Sequence, residues 1–346
     1  MKHNSWAVVC TCHEPTPLVV AFVAHYLALG ASEIQIYLDK PQPRSQALLA
    51  HLPKVRFITC DDDYWSTFKF GRRPNVVTKR QLKNAFRAYN TTECDWLLHV
   101  DTDEFLTTRF PLDQSLAQVS PEIRQVRFKN LERSLTPGKQ QSIFDGVFRT
   151  APPHAEIPHS WLVSHDQEFT VRGFTGHVQG KSMYRTRSNV TPGIHSGWPS
   201  SADTSPWEHE FYLPTGTLLH FDGMTRRHWT SKLLRLAQHK SNYRWLKRNM
   251  PERYNQVAAI LRARSPERAA RHLHDRLKVL NAEKRHHLKA LGLLDDTPFT
   301  PEDAISALNL PEKIDLSPEA FDAEVAAMRE GAGDAAVKES DEKAAN

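Results

Sequence analysis

The chain has 346 residues, 40% of them hydrophobic, with 45 Lys/Arg against 40 Asp/Glu and a formal charge of +5. That length suits two domains, or one large domain with an appendage, and no stretch approaches the roughly 20 apolar residues of a membrane span. The N-terminal "MKHNSWAVVCTCHEP" has no long apolar segment, so no signal peptide is expected, and Cys10, Cys12, Cys60 and Cys94 lie in or beside strand-like runs, which fits reduced core thiols in a cytoplasmic protein.

The first apolar run is "WAVVCT", residues 6 to 11. A helix follows, with Thr16 placed to cap it, Pro17 at its first position, and Leu18, Ala21, Phe22, His25, Tyr26 and Leu29 at helical spacing before Gly30. "EIQIYLD" alternates as a strand does, and "VRFITC" reads as another. Thr78 to Gln81 has capping-box spacing ahead of a stripe of Leu82, Ala85, Phe86 and Tyr89. "WLLHV", 96 to 100, is continuously apolar, as a central strand covered on both faces would be. The alternation predicts an α/β fold with a mixed, mostly parallel sheet flanked by helices. Beyond residue 110, "RQVRFKNL", "KSMYRTR" and "GTLLHFDG" read as strands between long polar loops. From Trp229 the chain reads as basic helices.

Between Arg226 and Lys289 there are 18 Lys/Arg and 4 Asp/Glu, which leaves the rest of the chain net acidic. This asymmetry predicts that the C-terminal third faces something anionic. The expected organisation is a catalytic domain over 1–228, a basic helical region over 229–328, and a disordered tail over 329–346, which lacks apolar periodicity.

The chemistry concentrates in "CDWLLHVDTDEFL", 94 to 106, an apolar run that ends in three acids within four residues. Clustered carboxylates repel and lose hydration on burial, so a positive partner is required. In α/β sheets ligands bind at the carboxyl ends of strands, and His13, Glu14 and Asp39 share that rim with Asp101, Asp103 and Glu104. Asp101 and Asp103, two apart on extended backbone, point the same way and can hold Mg2+ or Mn2+ that would bridge a diphosphate. His220, ending another apolar run and followed by Gly223 and Arg226, is a third ligand candidate that favours Mn2+. Cys10-x-Cys12-His13 lacks the further ligands of a metal site.

The segments "TCHEPTPLVVAFVAHYLALGASEIQIYLD" and "KRQLKNAFRAYNTTECDWLLHVDTDEFL" resemble glycosyltransferases of the GT-A fold, nearest the family-2-like and family-92 (DUF23-like) group. The likeness covers about residues 6 to 240. It departs from the family at His13, which stands for the usual Asn, at the reversed order of His25 and Tyr26, and at the short "DKPQP" turn after Asp39. "HFDG" also echoes a family-8 element whose His binds metal. The resemblance implies a nucleotide-sugar donor, usually UDP-linked, a divalent metal, and a glycan or glycolipid acceptor in surface polysaccharide synthesis. It implies that Glu14 and Asp39 lie near base and ribose, that Gln81 and Asn84 can reach the donor, and that Lys181, Arg185, Arg226 and Lys232 are candidates for the diphosphate or an anionic acceptor.

An inverting transfer needs a general base. Glu210 and His195 are the leading candidates, with Asp166 behind them. Two other readings compete. A divalent-metal phosphohydrolase or nuclease could use Asp101, Asp103 and Glu104, but the motif comes late in the chain and Phe105 stands where a dehalogenase-like enzyme has Thr or Val. A nucleic-acid binder leaves the acids unexplained, so no nucleic acid is expected. The basic helices suggest peripheral association with the inner face of a membrane.

Overall fold

A computed structural model of the protein describes residues 4–152, 166–199, 209–237 and 240–328; the tail expected over 329–346 lies outside them. The N-terminal part runs β1 (Trp6–Cys12), α1 (Thr16–Ala28), β2 (Glu33–Leu38), α2 (Pro43–Leu49), β3 (Val55–Thr59), α3 (Asp62–Ser66), α4 (Val77–Thr91) and β4 (Trp96–His99). Strands β4-β1-β2-β3 pair in parallel in that order. With β1 between β2 and β4, the chain winds one way to β3 and then returns to the other side. That reversal opens a crevice at the carboxyl edge. The apolar run at 96–99 is buried throughout, as its lack of alternation requires.

The second part holds β5 (Glu104–Thr108), α5 (Leu112–Ala117), β6 (Gln125–Ser134), β7 (Val147–Thr150), β8 (Lys181–Arg185), β9 (Val190–Thr191), β10 (Trp198–Pro199) and β11 (Glu210–His220). Strand β8 inserts antiparallel between β4 and β6, and β11 runs parallel to β6 and antiparallel to β5. The sheet is therefore mixed and flanked by helices, as the sequence predicts, with its antiparallel pairs gathered in this second half. The third part contains α6 (Arg226–Ala237), α7 (Lys240–Asn249), α8 (Pro251–Leu261), α9 (Pro266–Lys278), α10 (Ala282–Ala290), β12 (Leu294–Asp295) and α11 (Glu302–Ser306), then a helix over 318–328. It is bound to the sheet: β12 pairs with β7, and Phe299 packs edge-on or tilted against Phe105, Phe144 and Phe221.

Two capping expectations give way. Thr16 does not cap α1; its backbone N–H donates to the Glu324 carboxylate at 2.8 Å, a long-range cap whose negative charge also suits a helix N-terminus. Thr78 lies inside α4, which starts after Val76 with no side-chain cap. The inward face of α4 keeps Ala85 and Tyr89 of the apolar stripe but adds polar residues and leaves Phe86 outside. Arg80, Asn84 and Ala88 are buried while Phe86 is 48% exposed, because the polar pair has partners beneath the helix.

Glu324→Ala is expected to lower unfolding free energy by about 1 kcal/mol in urea titration, the usual cost of a lost N-terminal cap. No change would mean that water replaces the carboxylate without cost.

Candidate active site

The apolar segment of β4 ends at Val100, and the three acids fall in the turn into β5. Glu104 opens β5 and pairs in register with His220, the last residue of β11. That pairing brings the two motifs together although 116 positions separate them. Glu104 is fully buried, and one of its oxygens accepts the Asp101 backbone N–H at 2.8 Å.

Two lysines answer the charge of this turn. Lys181, fully buried at the start of β8, donates to Asp101 at 2.6 Å and lies 3.1 Å from Glu104. Gln81 donates to the other Asp101 oxygen at 2.5 Å. Lys232 of α6 donates to Asp103. Burial pushes both aspartates up, but the lysines outweigh it, with Lys181 dominant at Asp101 and Lys232 at Asp103, so both carboxyls stay below their ordinary range. Burial alone would lower the lysines. The carboxylates instead hold Lys181 and Lys232 above the usual ammonium range.

Of the expected ligands Asp101, Asp103 and His220, His220 falls in a cluster of possible ligand atoms, while Asp101 and Asp103 are each paired with a lysine. Among the described residues, Glu104, His177 and His220 form the group able to hold a cation, each offering a ligand atom within 4.8 Å of the others. His177 Nε2 donates to Glu104 at 3.2 Å, and the His177 and His220 rings stack with centroids 4.8 Å apart. The Nδ1 atoms of both histidines are buried without a hydrogen-bond partner among the described residues. Burial, then His177, keeps His220 low, and Lys181 outweighs burial to keep Glu104 ionised. Neutral imidazole beside ionised carboxylate is the protonation state a metal needs, and two nitrogens with one oxygen suit Mn2+ better than Mg2+.

A buried charged network fixes His177. Glu132 accepts the Thr175 and Gly176 backbone N–H groups, each at 2.7 Å, and Lys278 of α9 donates to the Thr175 hydroxyl at 3.2 Å. Position 176 must be glycine for this approach. A Cβ there would lie 2.7 Å from His220 Cε1 and 2.9 Å from a Glu132 oxygen.

The remaining predicted residues divide. Glu14 lies on the rim, with His228 Nε2 2.7 Å from one oxygen and Arg235 3.4 Å from the other, both from α6. Burial opposes its charge, but His228 and Arg235 hold the carboxyl far below the ordinary range. Asp39 is clamped by Arg80 at 2.6 and 2.8 Å and by Arg73 at 2.8 Å, so its carboxylate fastens the loop before α4. Asn84 turns under the sheet, bonded to Tyr64 and Thr11. Arg226 does not join the acids. It stands 3.9 Å from Asp275 in a groove of about 800 Å³ between α6, α9 and the 135–140 loop. Lys232 is the α6 cation that reaches Asp103.

The two base candidates fall in different places. Glu210 is held by Arg127, Gln125 and Ser196 at 3.0 to 3.1 Å, at the opposite end of β11 from His220. His195 does reach the site, its ring centroid 4.3 Å from that of His177, with Nδ1 bonded to the Gly180 carbonyl at 2.9 Å. Burial, His177 and Lys181 push it down to about 2, which makes it a weak proton acceptor. Asp166 pairs with Arg276. Sequence reasoning passed over His177 and His228. His177 had a signal, a histidine four residues before Lys181 in "HVQGK", whereas His228 sits in a helix whose orientation the sequence does not give.

No protein-family model matches this chain, and no curated protein matches it. Among solved structures it is similar to glucosyl-3-phosphoglycerate synthase from Mycobacterium tuberculosis, in complex with Mn2+, uridine diphosphate and glucosyl-3-phosphoglycerate, at 13% identity over 69% of this chain and 82% of that one, TM-score 0.33. Residues 1–349 of TarS from S. aureus match at 11% identity over 92% and 83%, TM-score 0.30. A 4-diphosphocytidyl-2C-methyl-D-erythritol synthase from Anaerococcus prevotii matches at 10% over 53% and 70%, TM-score 0.26. At such scores the likeness carries no functional argument, and the fold rests on the strand order given above.

One consequence is measurable without a substrate. Burial, then Lys181, pushes His99 on β4 down to about 4. The folded state thus resists protonating a ring that titrates near 6.5 when unfolded, so stability is complete above that pH and is lost progressively as pH falls to about 4. The loss attributable to His99 is about 3 kcal/mol, at about 1.4 kcal/mol per pH unit. Melting temperature should fall over this interval, and more shallowly in His99→Gln; equal slopes would refute the assignment.

Proposed function

We propose that the protein is a metal-dependent glycosyltransferase that moves a sugar from a nucleotide donor, UDP-linked, to a hydroxyl of a glycan or glycolipid. The observation that carries this reading is the junction of Glu104, His177 and His220, with its unpartnered ring nitrogens, beside the Asp101–Asp103 rim at the carboxyl edge of the sheet. In α/β sheets this crevice is where nucleotides lie.

Glu104, His177 and His220 would hold the metal, with Asp103 beside them. Bound there, a divalent cation supplies charge stabilisation to a departing diphosphate. Lys181 keeps Asp101 and Glu104 ionised and oriented. Lys232 and Arg235 stand 3 residues apart on one side of α6, so they can take phosphate oxygens next to the same rim. Gln81 orients Asp101. The buried network behind Thr175 and Gly176 keeps His177 stacked on His220, which preorganises the metal ligands. Location on the cytoplasmic side and a role in surface polysaccharide synthesis belong to this reading.

The purified protein, given a panel of nucleotide sugars with Mn2+, is expected to release nucleoside diphosphate and to melt higher with its own donor. Neither response with any donor would overturn the reading, and release of inorganic phosphate alone would favour the phosphohydrolase. His177→Ala and His220→Ala should each weaken Mn2+ binding at least about tenfold by calorimetry. Asp103→Ala should remove metal-dependent UDP binding; wild-type binding of UDP and Mn2+ would exclude Asp103 from the site.

A further inference from the structure

We propose that α7 is a membrane-contact element, and that it seats the protein on the anionic surface of a lipid bilayer. The claim that its acceptor is therefore membrane-borne rests on the transferase reading; the contact itself does not.

The basic surplus of the C-terminal third divides in the folded chain. One set of cations turns inward. Lys232 meets Asp103, Arg235 meets Glu14, Arg253 meets Asp222 at 2.7 Å, Arg276 meets Asp166, and Lys278 lies 3.7 Å from Glu132 and Asp222. These charges face acids of the same chain, at the candidate site or behind it, and do not form an outer basic surface.

A second set remains without acidic partners among the described residues: exposed Arg264, Arg268 and Arg271 lie at or near the start of α9, and another group lies on α7, where it is joined by an exposed aromatic ring. The sequence of α7, "KSNYRWLKRN", contains no acid. Leu246 is buried and fixes the helix to its neighbours, while Arg244, Lys247 and Arg248 are exposed. None of these three has an acidic partner among the described residues. Trp245, beside Arg244 on the same helix, is 43% exposed. At the end of α8, which packs on α7, Leu261 is 49% exposed beside Arg262.

Cations alone would fit any polyanion. The exposed indole together with exposed Leu261 favours a bilayer, because a ring with an apolar body and one N–H is stabilised at the boundary of headgroups and acyl chains. An anionic bilayer satisfies both kinds of group at once, the guanidinium and ammonium groups at the phosphate layer and Trp245 just below it. A soluble anionic polymer could stack on the Trp245 ring but offers no apolar layer to cover Leu261. No described helix is long and apolar enough to cross a membrane, so the contact is peripheral. Helix α7 packs against α6, whose Lys232 and Arg235 grip the acidic rim, so the bilayer surface would lie one helix away from the candidate active site.

The test is co-sedimentation of the full chain with vesicles of phosphatidylcholine alone and of phosphatidylcholine with phosphatidylglycerol. Binding is expected only to the anionic vesicles, weakening as salt rises. Arg244→Gln with Arg248→Gln should reduce the partition coefficient at least about tenfold. Trp245→Ala should reduce it severalfold, and Trp245→Phe should remove part of the fluorescence quenching by brominated lipid. Thermal melts of each variant matching wild type would exclude misfolding as the cause. Equal binding to both vesicle types, no binding, or binding indifferent to Trp245 would overturn the proposal. Donor hydrolysis in solution should be unchanged in the Trp245 variants, so loss of vesicle binding leaves the transferase reading standing, and absence of hydrolysis leaves the membrane contact standing.

Discussion

The structure depends on how buried carboxylates at the end of the sheet are neutralised. Glu14, Asp103 and Glu104 lie on one edge with little access to water, and Asp101 is only one-third exposed. Burying such groups unpaired would cost several kcal/mol each. Lys181, Lys232, His228 and Arg235 remove that cost, and three of the four come from a single helix, α6. The crevice edge is therefore shared between the first hundred residues and the third after residue 226. Removing one partner would leave the other charge buried alone, which is the more damaging half of such a pair.

A second buried set works one layer back. Glu132, Asp222, Lys278 and Arg253 are mutually paired, and Glu132 also takes the backbone N–H groups of Thr175 and Gly176. Its effect reaches the site through geometry. The loop must pass close to His220, and only a glycine at 176 allows that, so His177 is delivered onto the His220 ring in one orientation. Polar networks of this kind specify a single arrangement when every member is satisfied. They suit a site whose ligands must not wander.

The charge asymmetry of the chain takes a different meaning in three dimensions. Read linearly, the basic C-terminal third and the acidic remainder look like two regions with separate partners. Folded, much of the basic third is the counter-charge of the acidic part. What is left over includes a short acid-free helix with an exposed tryptophan and exposed arginines about the start of α9, a smaller surface than the linear count implies.

The sequence alone carried the parallel core, because continuous apolar runs such as 96–99 and helical spacing such as that of α1 are imposed by local backbone geometry. It also marked Asp101, Asp103, Glu104 and His220, since polar groups closing apolar strands stand out in one dimension. It could not tell which of them share a ligand set. Asp101 and Asp103 are close in sequence but each is turned to a lysine, while Glu104 meets His220 through antiparallel register and meets His177 through a loop held by Glu132. Nor could it show that Asp39 and Asn84 serve internal contacts, or that Arg226 faces away while Lys232, six residues on, faces in. Those outcomes depend on strand pairing and helix rotation, which are set by contacts between segments far apart in the chain, and only the tertiary structure decides them.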